Sequence, residues 1–192
     1  MPEAAFNDSA NNVPVPLQLY EDFLESGETI CLPRSANPNV SIIIPFRNPP
    51  EHLLNGLHGL AFGEAESFET IVVAEKGCLQ SYPELESRLD GIHFHRVDEI
   101  ESFAQAWNEG ASLALAPSLL FMKDDARLME RSLANLGRRL ETLRHAGAVG
   151  GMFTDLGGSL IEAGGLLFES GYCSSFGRGW NPCDYRVQYK RA

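Results

Sequence analysis

The sequence lacks a stretch that could cross a membrane, because no apolar run approaches the roughly 20 residues that a bilayer-spanning helix needs. Residues 1–12 have neither the basic start nor the apolar core of a signal peptide. Basic residues are scarce too, with 15 Lys and Arg against 26 Asp and Glu and a formal net charge of -11. A nucleic-acid surface needs clustered positive charge, so nucleic acid is not an expected partner. These features predict a cytoplasmic protein that does not span a membrane.

Cysteine is also sparse, and its spacing excludes two kinds of site. Cys31, Cys78, Cys173 and Cys183 form no C-x-x-C pair, so neither a zinc knuckle nor a disulfide framework is expected. The glycine clusters after residue 154 do not follow a strand and open a helix, as a phosphate-binding loop must. A Walker-type or dinucleotide-binding loop is therefore excluded.

Short apolar runs alternate with helical patterns over the middle of the chain. Strands are predicted over residues 40–45, 68–74, 92–97, 118–122 and 148–153. Helices are predicted over residues 53–60, 83–89, 102–116 and 133–143. Such alternation implies parallel strands joined by right-handed crossovers. The predicted fold class is therefore three-layer α/β/α with a mostly parallel central sheet.

The two ends of the chain differ from this pattern. Residues 1–39 are punctuated by Asn and Pro, and they predict a tail or strap with one short helix near residues 17–24. The organised domain is expected over residues 40–192. From residue 154 onward, glycines break the chain into short β segments and turns.

Two adjacent carboxylates, Asp124 and Asp125, end the apolar run that begins at Ser118. The run predicts a buried parallel strand, and open α/β sheets bind ligands at the carboxyl ends of such strands. Neighbouring carboxylates repel each other unless a cation or hydrogen-bond donors lie between them, which favours a hard metal such as Mg²⁺ or Mn²⁺. The alternative is a solvated turn, because Asp is a favoured turn residue.

Three stretches, in order, resemble family 2 glycosyltransferases, which are inverting nucleotide-sugar enzymes with the GT-A fold. VSIIIPFRN at residues 40–48 resembles the opening strand of that family. FAQAWNEG at residues 103–110, followed by LFMKDD at residues 120–125, resembles the helix with an Asn-x-Gly element that leads into the acidic metal motif. The glycine-rich residues 147–179 resemble the next β segment of bacterial members that act on surface polysaccharides. The resemblance covers residues 40–189.

The resemblance implies a UDP- or GDP-sugar donor and a divalent cation, Mn²⁺ or Mg²⁺. By position in the motif, Asp124 contacts the ribose of the donor and Asp125 ligates the metal that bridges the two phosphates. Pro45 and Phe46 lie where the family begins its nucleotide-base pocket, and the resemblance implies that Asn108, in the Asn-x-Gly element, also binds the nucleotide-sugar. The implied reaction transfers the sugar to a saccharide or lipid-linked acceptor in polysaccharide or cell-surface glycan synthesis.

The sequence departs from the family motif at two positions. Ala74 stands where the family usually has an acidic residue that contacts the base, and Glu75 takes that role only if the loop shifts by one residue. Lys123 replaces the Asp or Asn that is common at the first position of the acidic motif. A cation at this position either repels the metal or pairs with a phosphate.

The sequence also ends before the acceptor half of the family fold. The catalytic base expected in that half has no counterpart, so the catalytic residue is unknown and the GT-A domain is predicted to be truncated at its C-terminus. An uncovered sheet edge predicts a homodimer or a completing subunit, through surfaces near residues 161–168 and 187–189. The alternative to a glycosyltransferase is a non-catalytic remnant or binding module that keeps the fold without transferring a sugar.

Overall fold

The computed structural model describes residues 19–47, 49–63, 67–155 and 157–188. Residues 1–18 of the tail predicted over residues 1–39, Asn48 of the opening motif and Tyr189 lie outside the described residues. The described residues fall into two compact units, one within Val15–Asn135 and the other within Leu136–Ala192. The helices are α1 (Leu19–Ser26), α2 (Pro50–Gly63), α3 (Lys76–Ser81), α4 (Pro83–Arg88), α5 (Phe103–Ala111), α6 (Ser132–Thr142) and α7 (Tyr185–Gln188). The strands are β1 (Ile30–Cys31), β2 (Val40–Phe46), β3 (Phe68–Glu75), β4 (Leu89–Asp90), β5 (Ile92–Val97), β6 (Ser118–Phe121), β7 (Phe153–Thr154), β8 (Leu160–Glu162), β9 (Gly165–Leu167) and β10 (Cys173–Ser175).

Four parallel strands form the central sheet of the first unit, in the order β5-β3-β2-β6. The chain first builds outward from β2 through β3 to β5, and it then returns to place β6 on the other side of β2. The strand order therefore reverses between β2 and β6. In open α/β sheets, the carboxyl edge at such a reversal is the place where ligands bind.

Helices cover both faces of this sheet, because the β-branched residues of β2 alternate between two cores. Ile42 and Ile44 are fully buried in a cluster that includes Leu57 of α2. Ile43, between them, is buried in a second cluster with Ala106 of α5. Each fully buried aliphatic side chain of this kind contributes about 1.5–3 kcal/mol. The predicted α/β class with a mostly parallel central sheet is confirmed.

Residues 19–39 contribute to the same core. Phe23 of α1, Ile30 of β1 and Leu32 are buried in the cluster on the α2 face of the sheet. Arg88 at the end of α4 fastens this segment, since its guanidinium donates to the carbonyl of Glu28 at 2.9 Å and lies over the Phe23 ring at 4.0 Å. Helix α1 and strand β1 are therefore packed parts of the unit.

Helix α5 lies unusually close to the sheet. Ser102 caps its first turn, with the Ser102 hydroxyl oxygen accepting from the N–H of Gln105 at 3.2 Å. A Cβ atom at Gly110 would lie only 2.3 Å from Cγ2 of Ile43. The glycine of the Asn-x-Gly element is therefore required by helix-to-sheet packing.

Strand β2 extends one residue beyond its predicted end at Pro45. The last pair between β2 and β6 is Ile43 with Phe121, and the Ile43 carbonyl accepts from Met122. The backbone N–H and C=O groups of residues two apart in a strand point toward the same neighbouring strand. The nitrogen of Pro45 therefore points toward the β6 side of β2, at a position beyond the last residue of β6. The absence of an N–H group at Pro45 therefore removes no backbone hydrogen bond between β2 and β6.

Three other predictions about the elements differ from the structure. Residues 118–122 were expected to form a buried strand, but β6 lies at the edge of the four-stranded sheet, with Leu119 and Phe121 42% and 48% exposed. The strand predicted over residues 148–153 is wrong except at its last residue, because the adjacent Gly150 and Gly151 offer no side chains to pack. Helix α5 ends at residue 111, five residues earlier than predicted.

The second unit is built from short antiparallel pairs, β7 with β8 and β9 with β10. Leu160 is its buried anchor, and a Cβ atom at Gly177 would lie 2.7 Å from Cδ2 of Leu160. Arg186 lies 3.8 Å over the ring of Trp180. Throughout the described residues of both units, no helix is long and apolar enough to cross a membrane.

Candidate functional site

The ends of β2 and β6 are joined across the point where the strand order reverses. Arg47 directly follows β2, and its backbone N–H donates to Oδ2 of Asp124 at 2.9 Å. Asp124 is completely buried. A buried carboxylate is stable only when donors satisfy its oxygens, so Asp124 holds the two strand ends together as well as lying in the candidate motif.

Asp125, in contrast, points its carboxylate toward solvent. Its Oδ2 lies 3.2 Å from Nζ of Lys123, and the two side chains are 39% and 44% exposed. The Lys123 ammonium also lies 5.2 Å from the centre of the Phe103 ring, and the Arg47 guanidinium lies 5.8 Å from the same ring. The structure therefore brings two cations and two carboxylates together around the start of α5.

The loop that carries the carboxylates is fixed against α2. A Cβ atom at Gly56 would lie 2.9 Å from the carbonyl oxygen of Ala126, and one at Gly59 would lie 2.9 Å from that of Leu128. The guanidinium of Arg127 adds a hydrogen bond to the side chain of Asn55 at 3.1 Å. The two α2 glycines therefore let the backbone after Asp125 pack directly on the helix.

Glu75 ends β3, the neighbour of β2, and so lies at the same edge of the sheet. Its Oε1 accepts from the backbone N–H of Ile100 at 3.0 Å. Burial raises the pKa of the Cys78 thiol, and the negative charges of Glu75 and Asp124 raise it further. The charges of both acids therefore act on Cys78, although the sequence predicts no link among the three residues.

The remaining predicted residues occupy different environments. Pro45 is buried and the side chain of Phe46 is fully enclosed, with its ring 6.4 Å from that of Tyr82. The backbone of Phe46 is enclosed together with its side chain, so a nucleotide could contact this residue only after a local rearrangement. Asn108 is exposed on α5, and its carbonyl accepts from the N–H of Ser112.

Arg47 and Phe103 have no predicted role from the sequence, yet Arg47 donates to Asp124 and the Phe103 ring lies near the cations of Arg47 and Lys123. Arg47 follows a strand and Phe103 begins a helix, and both positions reach the carboxyl edge of a parallel sheet. The strand order that brings them together requires the tertiary structure. In the sequence, the signal that could have identified Arg47 and Phe103 is their position directly after a predicted strand and at the start of a predicted helix.

The fit of a divalent cation to this site depends on the donor set. In the part of the chain that the structure describes, no group of three or more His, Cys, Asp and Glu side chains could hold a metal ion. Ions such as Mg²⁺ are nevertheless often held by one or two carboxylates together with substrate phosphates and water. The exposed carboxylate of Asp125 fits that minimal role, with the rest of the ligands coming from a bound diphosphate.

No protein-family model matches the chain, and no curated protein matches it significantly. Among solved structures, the chain is similar to S. aureus TarS 1-349, with a TM-score of 0.46 and 17% identity over 61% of this chain and 40% of that one. The same protein in complex with UDP gives a TM-score of 0.44 at the same identity and coverage. The mannosyltransferase PcManGT from Pyrobaculum calidifontis, in complex with GDP-Man and Mn²⁺, gives 0.46 and 17% identity over 71% of this chain and 41% of that one. The chain thus spans about two fifths of the length of these structures, and at such TM-scores the α/β class rests on the sheet described above.

Proposed function

We propose that this chain binds a nucleotide-diphospho-sugar at the carboxyl edge between β2 and β6, as the donor half of a glycosyltransferase site. The observation that carries the proposal is the pairing of a buried Asp124, tied to the end of β2, with an exposed Asp125 at the point where the strand order reverses. A solvated turn would not require Asp124 to be buried. The resemblance of residues 40–48 and 103–125 to family 2 glycosyltransferases supports the same assignment.

Each residue of the proposed site has a distinct role. Asp125 would hold a Mn²⁺ or Mg²⁺ ion, which when bound neutralises the charge that develops on the departing nucleoside diphosphate. Asp124 is completely buried and fixes the end of β2, and it would reach the ribose only if the loop after β6 opened when the donor binds. Glu75 would border the base of a UDP- or GDP-sugar, and the buried Pro45 and Phe46 would support that border from the core.

A non-catalytic binding module is the second candidate, and the hydrogen bonds of Glu162 and Asp184, the first two acids to test as a catalytic base, favour it. Glu162 accepts a hydrogen bond from the Ser175 hydroxyl at 2.7 Å. Hydrogen bonds from Arg186 lower the pKa of Asp184 to about 2, which makes that carboxylate a poor general base. Loss of general base catalysis alone typically slows a reaction about 10²–10⁴-fold. We therefore expect this chain to show at most trace donor hydrolysis and no measurable transfer to saccharide acceptors.

Calorimetry with UDP and GDP tests the proposed donor site. We expect binding in the presence of Mn²⁺ and at least about tenfold weaker binding in a chelator, since a charge-assisted contact is lost. Asp125→Asn should lose the metal dependence. Asp90→Asn is the matched control, because Asp90 is an exposed, ion-paired acid at the end of β4, just before β5 begins at the opposite edge of the sheet. Equal affinity with metal, with chelator and in Asp125→Asn would contradict the proposal.

A further inference from the structure

We infer that Lys123 couples the binding of the metal to the binding of the donor. In the free site Lys123 neutralises Asp125 and so opposes a divalent cation that arrives alone. When a nucleoside diphosphate binds, Lys123 pairs with its phosphates and leaves Asp125 to the metal. This inference rests on the proposed function and deepens it, because it sets how the two ligands depend on each other.

The geometry places Lys123 where it can serve both partners. Its Nζ lies 3.2 Å from Oδ2 of Asp125 and 5.2 Å from the centre of the Phe103 ring. The ring holds the ammonium at the site even when the carboxylate is engaged elsewhere, since cations favour the faces of aromatic rings. Lysine also has a flexible four-carbon stem and three donors that suit phosphate oxygens. A small rotation of the stem is enough to exchange one anion for the other.

The ion pair is weak enough to open. Both side chains are partly exposed, and solvent-exposed pairs contribute at most about fivefold to an equilibrium constant. A diphosphate carries more negative charge than one carboxylate, so it competes well for the same ammonium. Lys123 therefore opposes the metal only until the donor arrives.

The formal charges of the four clustered side chains also indicate that the metal and the donor bind together. The formal charges of Arg47, Lys123, Asp124 and Asp125 cancel. A divalent cation alone would leave the cluster strongly positive, and a diphosphate alone would leave it strongly negative. The two ligands together restore neutrality, so each should raise the affinity for the other. Without Lys123 the cluster is negative, and it should attract a metal ion without a nucleotide.

Electron paramagnetic resonance of free Mn²⁺ during titration of the full chain measures the metal affinity directly. Without nucleotide, we expect Lys123→Gln to bind Mn²⁺ about five- to twentyfold more tightly than the wild-type chain, because both the competing pair and the like-charge repulsion are removed. Lys123→Arg keeps the charge and should match the wild type. Arg34→Gln is the matched control, since it removes a cation from an exposed ion pair with Asp90 on the opposite edge of the sheet.

A second titration of the same variants with UDP present separates the two proposals. UDP should tighten Mn²⁺ binding by a larger factor in the wild type than in Lys123→Gln. Equal Mn²⁺ affinities of these two chains without nucleotide, together with normal UDP binding, would overturn the role of Lys123 alone. Failure of UDP to bind in every arm would overturn the proposed function, and the coupling with it.

Discussion

Replacement of Gly110 by alanine tests how α5 is placed against the sheet. Alanine is the better helix former by about 0.5–1 kcal/mol, so the substitution would stabilise an unpacked helix. At Gly110, however, the added Cβ would lie 2.3 Å from Cγ2 of Ile43 and 3.2 Å from Cγ2 of Val73. Both are branched, buried side chains of the sheet, so neither can rotate freely away.

The expected size of the effect follows from these opposing contributions. Overpacking a well-filled core typically costs about 1–3 kcal/mol. After the gain in helix propensity is subtracted, Gly110→Ala should lower the free energy of unfolding by about 0–2.5 kcal/mol, and a contact of 2.3 Å favours the upper part of that range. The same shift would move the start of α5, where Phe103 contacts Lys123 and Arg47.

Urea denaturation followed by circular dichroism measures the change. Gly77→Ala is the matched control, because Gly77 lies in α3 of the same unit with no neighbour near its absent Cβ, and it should be neutral or stabilising. In a double-mutant cycle, Ile43→Ala should remove most of the cost of Gly110→Ala, since the clashing methyl is gone. A Gly110→Ala chain as stable as Gly77→Ala would refute the close packing of α5.

Three further predictions concern other parts of the first unit. Arg88→Met should lower the free energy of unfolding by about 1–3 kcal/mol, because it removes hydrogen bonds to the carbonyls of Leu24 in α1 and Glu28 after it, and thermal melting measures the loss. Burial and the hydrogen bond to Glu84 raise the pKa of Tyr20 from 10.0 to about 12. The contribution of this contact to the free energy of unfolding should therefore be complete below pH 10 and fall as the pH rises toward 12. Ultraviolet titration of the tyrosines measures the pKa. Gly56→Ala should displace the loop at Ala126 and weaken Mn²⁺-dependent UDP binding severalfold, and calorimetry that shows unchanged binding would contradict this.

Local sequence patterns were sufficient to predict two adjacent strands of the sheet, β5 and β3. β5 begins and ends where predicted, and β3 differs by one residue, because runs of β-branched and aromatic residues determine both strands. The order of the strands was not predictable, since parallel strands pair with partners distant in sequence. The edge position of β6 depends on that order, and so does the exposure of Phe121.

The candidate site was likewise predictable from the sequence only in part. The adjacent carboxylates were visible in the sequence, and so was the unusual Lys123 beside them. The backbone N–H of Arg47 that satisfies Asp124 was not, because the two residues are 77 positions apart and meet only across the reversal in strand order. The need for glycine at positions 56 and 59 of α2 likewise follows only from the packing of the loop after Asp125 on that helix.

Nuclear magnetic resonance of the labelled chain, titrated with UDP and diamagnetic Mg²⁺, tests the central claim most directly. If the carboxyl edge between β2 and β6 binds the nucleotide, the largest amide shift changes should cluster at Arg47, Glu75 and Asp125. The opposite ends of the strands, at Val40 and Phe68, should change little. Shift changes centred on that opposite edge, or none at saturating UDP and Mg²⁺, would contradict the account.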